Sequence, residues 1–294
     1  MVATSIDFDK VNPTFIDCNF PSQPRFTFGC QPPNQLKEFC SGLRAYEDVE
    51  PPIASSQWIE IAKETLAQKA GAEWLVSRIY DQSQEGSCVA NMKSQQCEVQ
   101  QALQWGLDRV VHMSAISLYK RIGSSAQSGA YVEDSTVEAY KRGILPLDTP
   151  ENRAVYGNAV MPNTGWRTPF PADWEQTAAM FCDDEQFVVR TYAGLVSALL
   201  RNRTVGIGRA GHSILYCGCP QFTTNSVNSI KVPYPNSWSL DWGVALGAMS
   251  GGFGFDTYNY IRQAAGYGIV VRSLVDRTKP ENKLAAEPLF QTAI

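Results

Sequence analysis

Gln82-Ser83-Gln84-Glu85-Gly86-Ser87-Cys88-Val89-Ala90 is a short loop that runs into a segment with no proline or glycine before Gly106. Val89, Met92 and Gln96 alternate with Ala90, Cys97 and Leu103, which predicts a mostly buried helix from Cys88 to Gly106. Cys88 then stands where a loop enters a helix, at the positive end of the helix dipole. A nucleophilic cysteine needs a lowered pKa because the thiolate is the reactive form, and a helix N-terminus and a protonated base both lower it. Position alone also allows a buried structural thiol, the commoner role of the residue.

The chain holds only two histidines. His112 lies beyond the same predicted helix. At 1.5 Å per helical residue the two would be on the order of 30 Å apart, so His112 reads as a structural residue. His212 comes much later, in Gly208-Arg209-Ala210-Gly211-His212, just before an apolar strand, and is free to return across a cleft.

The segment from Gln82 to Ala90 resembles the active-site loop of papain-like cysteine peptidases, with a glutamine six residues before the cysteine and Gly-Ser beside it. Gly211-His212-Ser213-Ile214 resembles the family's Gly-His-Ala-Val strand. Asn236-Ser237-Trp238, followed by Trp242-Gly243, is similar to its Asn-Ser-Trp block. The resemblance covers roughly residues 72–275 and keeps the order Cys, His, Asn. It implies Cys88 as nucleophile, His212 as its base and Asn236 as the group orienting the ring. It further implies that Trp238, supported by Trp242, shields that bond, and that Gln82 with the Cys88 N–H forms the oxyanion hole. Ser128-Gly129-Ala130 is similar to the glycine pair that binds the substrate strand, which marks Ser128 and Gly129 as substrate-binding. Three features depart from the family. Glu85 stands where a disulfide cysteine is usual, Val89 replaces a large aromatic, and no prosegment motif is evident in residues 1–70.

Around this constellation the chain divides into three. Residues 1–55 form a proline-rich N-terminal arm carrying seven of the 17 prolines and the apolar Phe15, Ile16, Phe20, Phe26 and Phe28. Residues 56–276 form the papain-like domain, with a helical lobe over about 72–150 and a sheet lobe over about 151–276. Residues 277–294 form a polar tail. Helices are expected from Ser56 to Gly71 and over 132–142. Strands are expected over 186–190, 204–207, 213–217, 230–234 and 267–274, with an extended run over 74–80. Asp173 with Gln176 resembles a capping box, and Thr191 is placed to cap a helix over 192–200. Helices before strands suggest an α+β fold, a helical lobe beside a β-sheet lobe with a cleft between.

Composition is that of a globular chain: 44% hydrophobic, 18% charged, net charge -4. Without a basic run, nucleic acid is not expected as a partner. No stretch of about 18 apolar residues predicts a membrane span. The opening MVATSIDFDKVNP lacks a signal-peptide pattern, and the eight irregularly spaced cysteines read as thiols, so synthesis in a reducing cytoplasm is expected. Cys217-Gly218-Cys219 lacks a second ligand pair, so no metal and no cofactor are expected. Arg209 is expected to be solvated. The functional expectation is a peptidase acting on a peptide or protein substrate. The alternatives are an assembly component, such as one incorporated into a virion through contacts of residues 1–55 and 277–294, and a transamidase using the same thioester chemistry.

Overall fold

The computed structural model describes residues 30, 42–209 and 211–282. The aromatic cluster of the N-terminal arm and most of the C-terminal tail lie outside the described residues. Eight helices are described: α1 (Trp58–Ala67), α2 (Cys88–Trp105), α3 (Ala115–Ile122), α4 (Val132–Lys141), α5 (Pro150–Tyr156), α6 (Trp174–Ala178), α7 (Tyr192–Leu200) and α8 (Tyr258–Ala264). The strands are β1 (Cys182–Asp183), β2 (Gln186–Val189), β3 (Val205–Arg209), β4 (His212–Tyr216), β5 (Gln221–Phe222), β6 (Ile230–Pro235), β7 (Val244–Leu246), β8 (Met249–Thr257), β9 (Gly268–Val271) and β10 (Leu274–Val275).

The fold is α+β. An antiparallel sheet of order β2-β9-β3-β4 stands at its centre, and a second one, β5-β6-β8-β7, continues from it. The period-2 alternation of strand side chains divides the core in two. Val188, Leu215, Ile269 and Val271 face a cluster built with α2, α3 and α4. Their neighbours Phe187, Val189, Ile214, Tyr216 and Val270 face a second cluster, which holds Trp58 and Ala62 of α1, Leu195 and Leu199 of α7 and Ile261 of α8.

The pivot is α2, buried for nearly its whole length despite its many polar residues. Buried polar groups need partners, and the glutamines of α2 find them on carbonyls at strand ends. Gln96 Nε2 donates to Thr204 (3.3 Å) and Ile269 (3.0 Å), and Gln100 Nε2 to Arg272 (2.9 Å). Lys93 pairs with Asp183 out of solvent. The helix approaches β3 closely because residue 206 is glycine: a Cβ there would lie 2.7 Å from Met92 Sδ.

Several expectations shift. Residues 151–181, assigned to the sheet lobe from the sequence, contribute Tyr156, Trp166, Phe170, Trp174 and Phe181 to the helical cluster. Asp173 adopts a left-handed conformation (φ 57°) and makes no side-chain cap, so α6 is only five residues long. Ahead of α1 stands a 3₁₀ turn, Ser55–Gln57, where a serine cap was expected. The run over 74–80 begins as a 3₁₀ turn, Ala72–Leu75. Thr191 does cap α7, accepting from Gly194 N at 2.9 Å. Among the described residues no helix is long and apolar enough to cross a membrane.

Candidate active site

Three stretches meet where α2 begins. The segment before the helix pairs antiparallel with residues 237–239: Gln82 N donates to Ser237 O (2.9 Å) and Ser239 N to Tyr80 O (3.1 Å). This ties the loop leading to Cys88 to the block that contains Asn236. Meanwhile β4 lies against α2. Because Thr204, just before β3, lies by Gln96 and Gly206 by Met92, His212, paired with Arg209 at the other end of β3, lies toward the start of the helix.

Cys88 is the first residue of α2 and has no exposed surface. Ser87 before it caps nothing with its side chain. Its hydroxyl and carbonyl oxygens accept from Asn91 Nδ2, both at 2.9 Å.

Gln82 is fully buried and held at both ends of its amide. Nε2 donates to Glu85 O (2.9 Å), and Oε1 accepts from Ser237 Oγ (2.5 Å). An amide nitrogen carries two hydrogens, so one is committed to Glu85. Glu85 ties the same loop to the chain on its other side. Its Oε1 accepts from Gly165 N (2.8 Å) and Trp166 N (2.9 Å), pinning the loop to residues 165–166. Asn163 adds a bond from Nδ2 to Asp81 O (2.9 Å).

His212 opens β4 after Gly211, whose φ of 82° is cheap only for glycine. Its Nε2 lies 2.9 Å from Oδ1 of Asn236. Asn236 is itself buried and anchored through its backbone N–H to Gly252 O (2.9 Å). Trp238 stacks on the imidazole at 4.7 Å and 28°, and Trp242 meets Trp238 edge-on at 5.5 Å. Nδ1 of His212 is buried and has no hydrogen-bond partner among the described residues. Burial lowers the His212 pKa to about 4; Asn236 opposes the shift and the positive charge of Arg209 adds to it.

Arg209, opposite His212 in the β3–β4 pairing, is only partly exposed and not the free surface charge expected. It pairs with the buried Asp256 and lies by the rings of Tyr234 and Tyr260. Asp256 also accepts from Tyr216 Oη (2.6 Å). A guanidinium stacked on aromatic faces and matched by a carboxylate can be held out of water.

Of the remaining candidates, His112 and the Cys217–Cys219 pair fall elsewhere, while the Ser128–Gly129 loop packs against the loop before Cys88, with Gly86 N donating to Ala126 O (2.8 Å). His112 Nδ1 lies 3.4 Å from Glu98 Oε2, toward the far end of α2 from Cys88. Cys217 and Cys219 direct their thiols to the Ala72 and Ala62 carbonyls. Gly129 N donates to Tyr119 Oη (3.1 Å), and Ser128 Oγ accepts from Ser124 N and Ser125 N in its own turn. Strand-like pairing falls on Ala130, one residue further, and its partner is Cys30. Cys30 also pairs with Gly211: its N–H donates to Gly211 O (3.4 Å), and its carbonyl accepts from Gly211 N (3.2 Å). Nothing in the sequence reading singled out Cys30, which lies in the proline-rich arm among irregularly spaced cysteines.

The described residues bring together a cysteine at a helix start, a facing antiparallel sheet, and a histidine–asparagine pair beneath a tryptophan. No family model matches the sequence and no curated protein matches it. Solved structures similar to the chain include xylellain, a cysteine protease from Xylella fastidiosa (16% identity, 87% of this chain and 94% of that one, TM-score 0.48). Another is the Amb a 11 cysteine protease, a ragweed pollen allergen, in its proform (13%, 74% and 74%, TM-score 0.48). A third comes from work on the mite allergens Blo t 1 and Der p 1 (12%, 67% and 67%, TM-score 0.45).

Proposed function

We propose that this papain-like protein is a cysteine peptidase using Cys88, His212 and Asn236, with Gln82 and the Cys88 N–H as oxyanion donors. The observation that carries the reading is the state of the His212 ring. A carboxamide oxygen only accepts, so the bond to Asn236 Oδ1 fixes the hydrogen on Nε2. In the neutral ring the free lone pair is then on Nδ1, which has no hydrogen-bond partner among the described residues.

Nδ1 takes the Cys88 proton as the sulfur attacks the substrate carbonyl. With the His212 pKa lowered to about 4, an isolated imidazolium is unfavourable in this site, and the thiolate supplies the counter-charge that makes it affordable. The C–S bond forms, and the oxyanion is held by Gln82 and the Cys88 N–H. His212 returns the proton to the leaving amine as the C–N bond breaks, and water then releases the acid from the thioester by the reverse sequence. Trp238 keeps water from the His212–Asn236 bond, which strengthens it in the lower local dielectric.

The test is alkylation of the reduced full chain by a peptidyl epoxide, with the adduct mapped by mass spectrometry. Dominant labelling of Cys88, abolished in His212→Ala, is expected. Equal slow labelling of several cysteines overturns the reading.

A further inference from the structure

His212 and Arg209 are directly opposite one another in the β3–β4 pairing. Opposite residues of an antiparallel pair put their side chains on the same face, with Cβ atoms about 5 Å apart. The alternation along the strands says which face. Val205 and Ile207 on β3, and Ile214 and Tyr216 on β4, point into the cluster that holds Tyr234, Trp238 and Trp242. Arg209 and His212 take the next places in those two rows. An imidazolium formed at His212 therefore stands across from a guanidinium, and like charges directly opposite are unfavourable.

The fold brings the counter-charge from β8. Asp256 lies opposite Val232 of β6, whose side chain belongs to that same cluster. Asp256 is fully buried, pairs with Arg209 and accepts from Tyr216 Oη at 2.6 Å. The rings of Tyr234 on β6 and Tyr260 on α8 lie by the guanidinium, and its charge reaches Tyr267 just before β9. An ordinary phenol ionises near pH 10, so the carboxylate is the group that answers the guanidinium where an imidazole titrates. Aromatic contacts lead from this pair back to the base: Tyr234 to Trp242, Trp242 to Trp238, and Trp238 to the imidazole. On its other sides the ring meets the neutral carboxamide of Asn236 and, in the proposed chemistry, the thiol of Cys88.

We propose that Asp256 is a positioning residue for the base: by pairing with Arg209 it holds and neutralises the guanidinium facing His212, so that the ring can carry the proton it takes from Cys88. As a part of catalysis this rests on the peptidase reading, but the charge relation among the three side chains does not. The lowering that Arg209 still exerts on the His212 pKa is the portion of its charge that Asp256 leaves uncancelled.

The test reads the ring without substrate. In the full chain carrying Cys88→Ala, so that no thiol couples to the base, the His212 ring signals are followed by NMR as a function of pH. The second of the two histidines, His112, is assigned by its loss in His112→Gln. Asp256→Asn leaves the guanidinium unopposed and should lower the midpoint by about one pH unit or more; Arg209→Gln should raise it by a similar amount. The double variant should return toward the parent chain, and Arg209→Lys, which keeps the charge, should stay nearer to it than Arg209→Gln. In the chain that retains Cys88, the alkaline limb of epoxide labelling should fall in Asp256→Asn and rise in Arg209→Gln. Shifts of the same sign in the two single variants would mark a merely structural role and overturn the proposal, as would midpoints that do not move. If Asp256→Asn does not fold, Arg209→Gln and Arg209→Lys decide between them, and equal midpoints overturn it. Midpoints that move as stated in a chain that cleaves no peptide would keep the charge relation and remove the peptidase reading; cleavage with unmoved midpoints would do the reverse.

Discussion

Ser237 Oγ donates to Gln82 Oε1 at 2.5 Å, joining residues from opposite sides of the candidate site through a buried hydrogen bond. The same Gln82 takes a backbone bond from its own N–H to Ser237 O. The block carrying Asn236 therefore also orients the proposed oxyanion donor, and the two halves of the machinery cannot be displaced independently.

Ser237→Ala should accordingly lower kcat while leaving KM near its wild-type value, because Gln82 keeps its bond to Glu85 but loses the one that fixes its rotation. Gln82→Ala should cost more, about 3 kcal/mol of barrier or roughly 100-fold in kcat, the usual loss for one oxyanion donor. Steady-state kinetics on a fluorogenic peptide, with thermal melts as the control for folding, separate the two variants. Equal kcat for Ser237→Ala and wild type would remove the positioning role.

Much of this arrangement is legible in the sequence because its parts are local. Thr191 caps α7 with its own side chain, and β4 follows from the apolar run after His212. What escaped reading depends on distant partners. The nine-residue β8 contains Gly251, Gly252 and Gly254, residues that argue against a strand when read alone. In the fold they are required by packing: a Cβ on Gly254 would lie 2.6 Å from the Tyr234 ring and 2.7 Å from Trp242. Arg209 looks like a surface charge until Asp256, far along the chain, arrives beside it. Glu85 looks like a lost disulfide until the backbone at 165–166 is seen to close on it.

The glycine in β8 gives a stability prediction. Gly254→Ala should destabilise the protein by about 1–3 kcal/mol through overpacking, and it should shift tryptophan fluorescence because Trp242 is one of the side chains forced to move. Denaturant unfolding followed by that emission measures both. An unchanged midpoint would mean the Tyr234–Trp242 contact yields without cost.

The lowered pKa of His212 sets a direction for acid stability. The unfolded chain binds this proton near the ordinary value of 6.5, the folded one only near 4. Between those values the unfolded state holds more protons, so stability rises with pH. The contribution is fully present above about 6.5 and is lost as pH falls toward 4, with an upper limit of about 3 kcal/mol at 1.36 kcal/mol per tenfold change. Unfolding midpoints taken at pH 7 and pH 4 should therefore drop further in wild type than in His212→Gln, which has no proton to gain. Parallel drops would mean the ring titrates alike folded and unfolded.

Asn236 can be tested apart from the fold it helps to build. Its backbone N–H holds Gly252 O whatever the side chain, so Asn236→Ala should leave the strand connection in place and free the imidazole to turn beneath Trp238. Losing one buried positional bond costs about 1–3 kcal/mol, or roughly 5- to 150-fold in kcat. KM should hold, because substrate does not touch the carboxamide in this reading. Asn236→Asp offers the sharper comparison. A carboxylate still accepts from Nε2–H, and its charge favours the imidazolium that burial and Arg209 disfavour. The aspartate variant should therefore regain much of the activity lost in the alanine variant while moving the acid limb of the kcat/KM profile. If both variants match wild type in rate and pH profile, His212 is held by something other than Asn236.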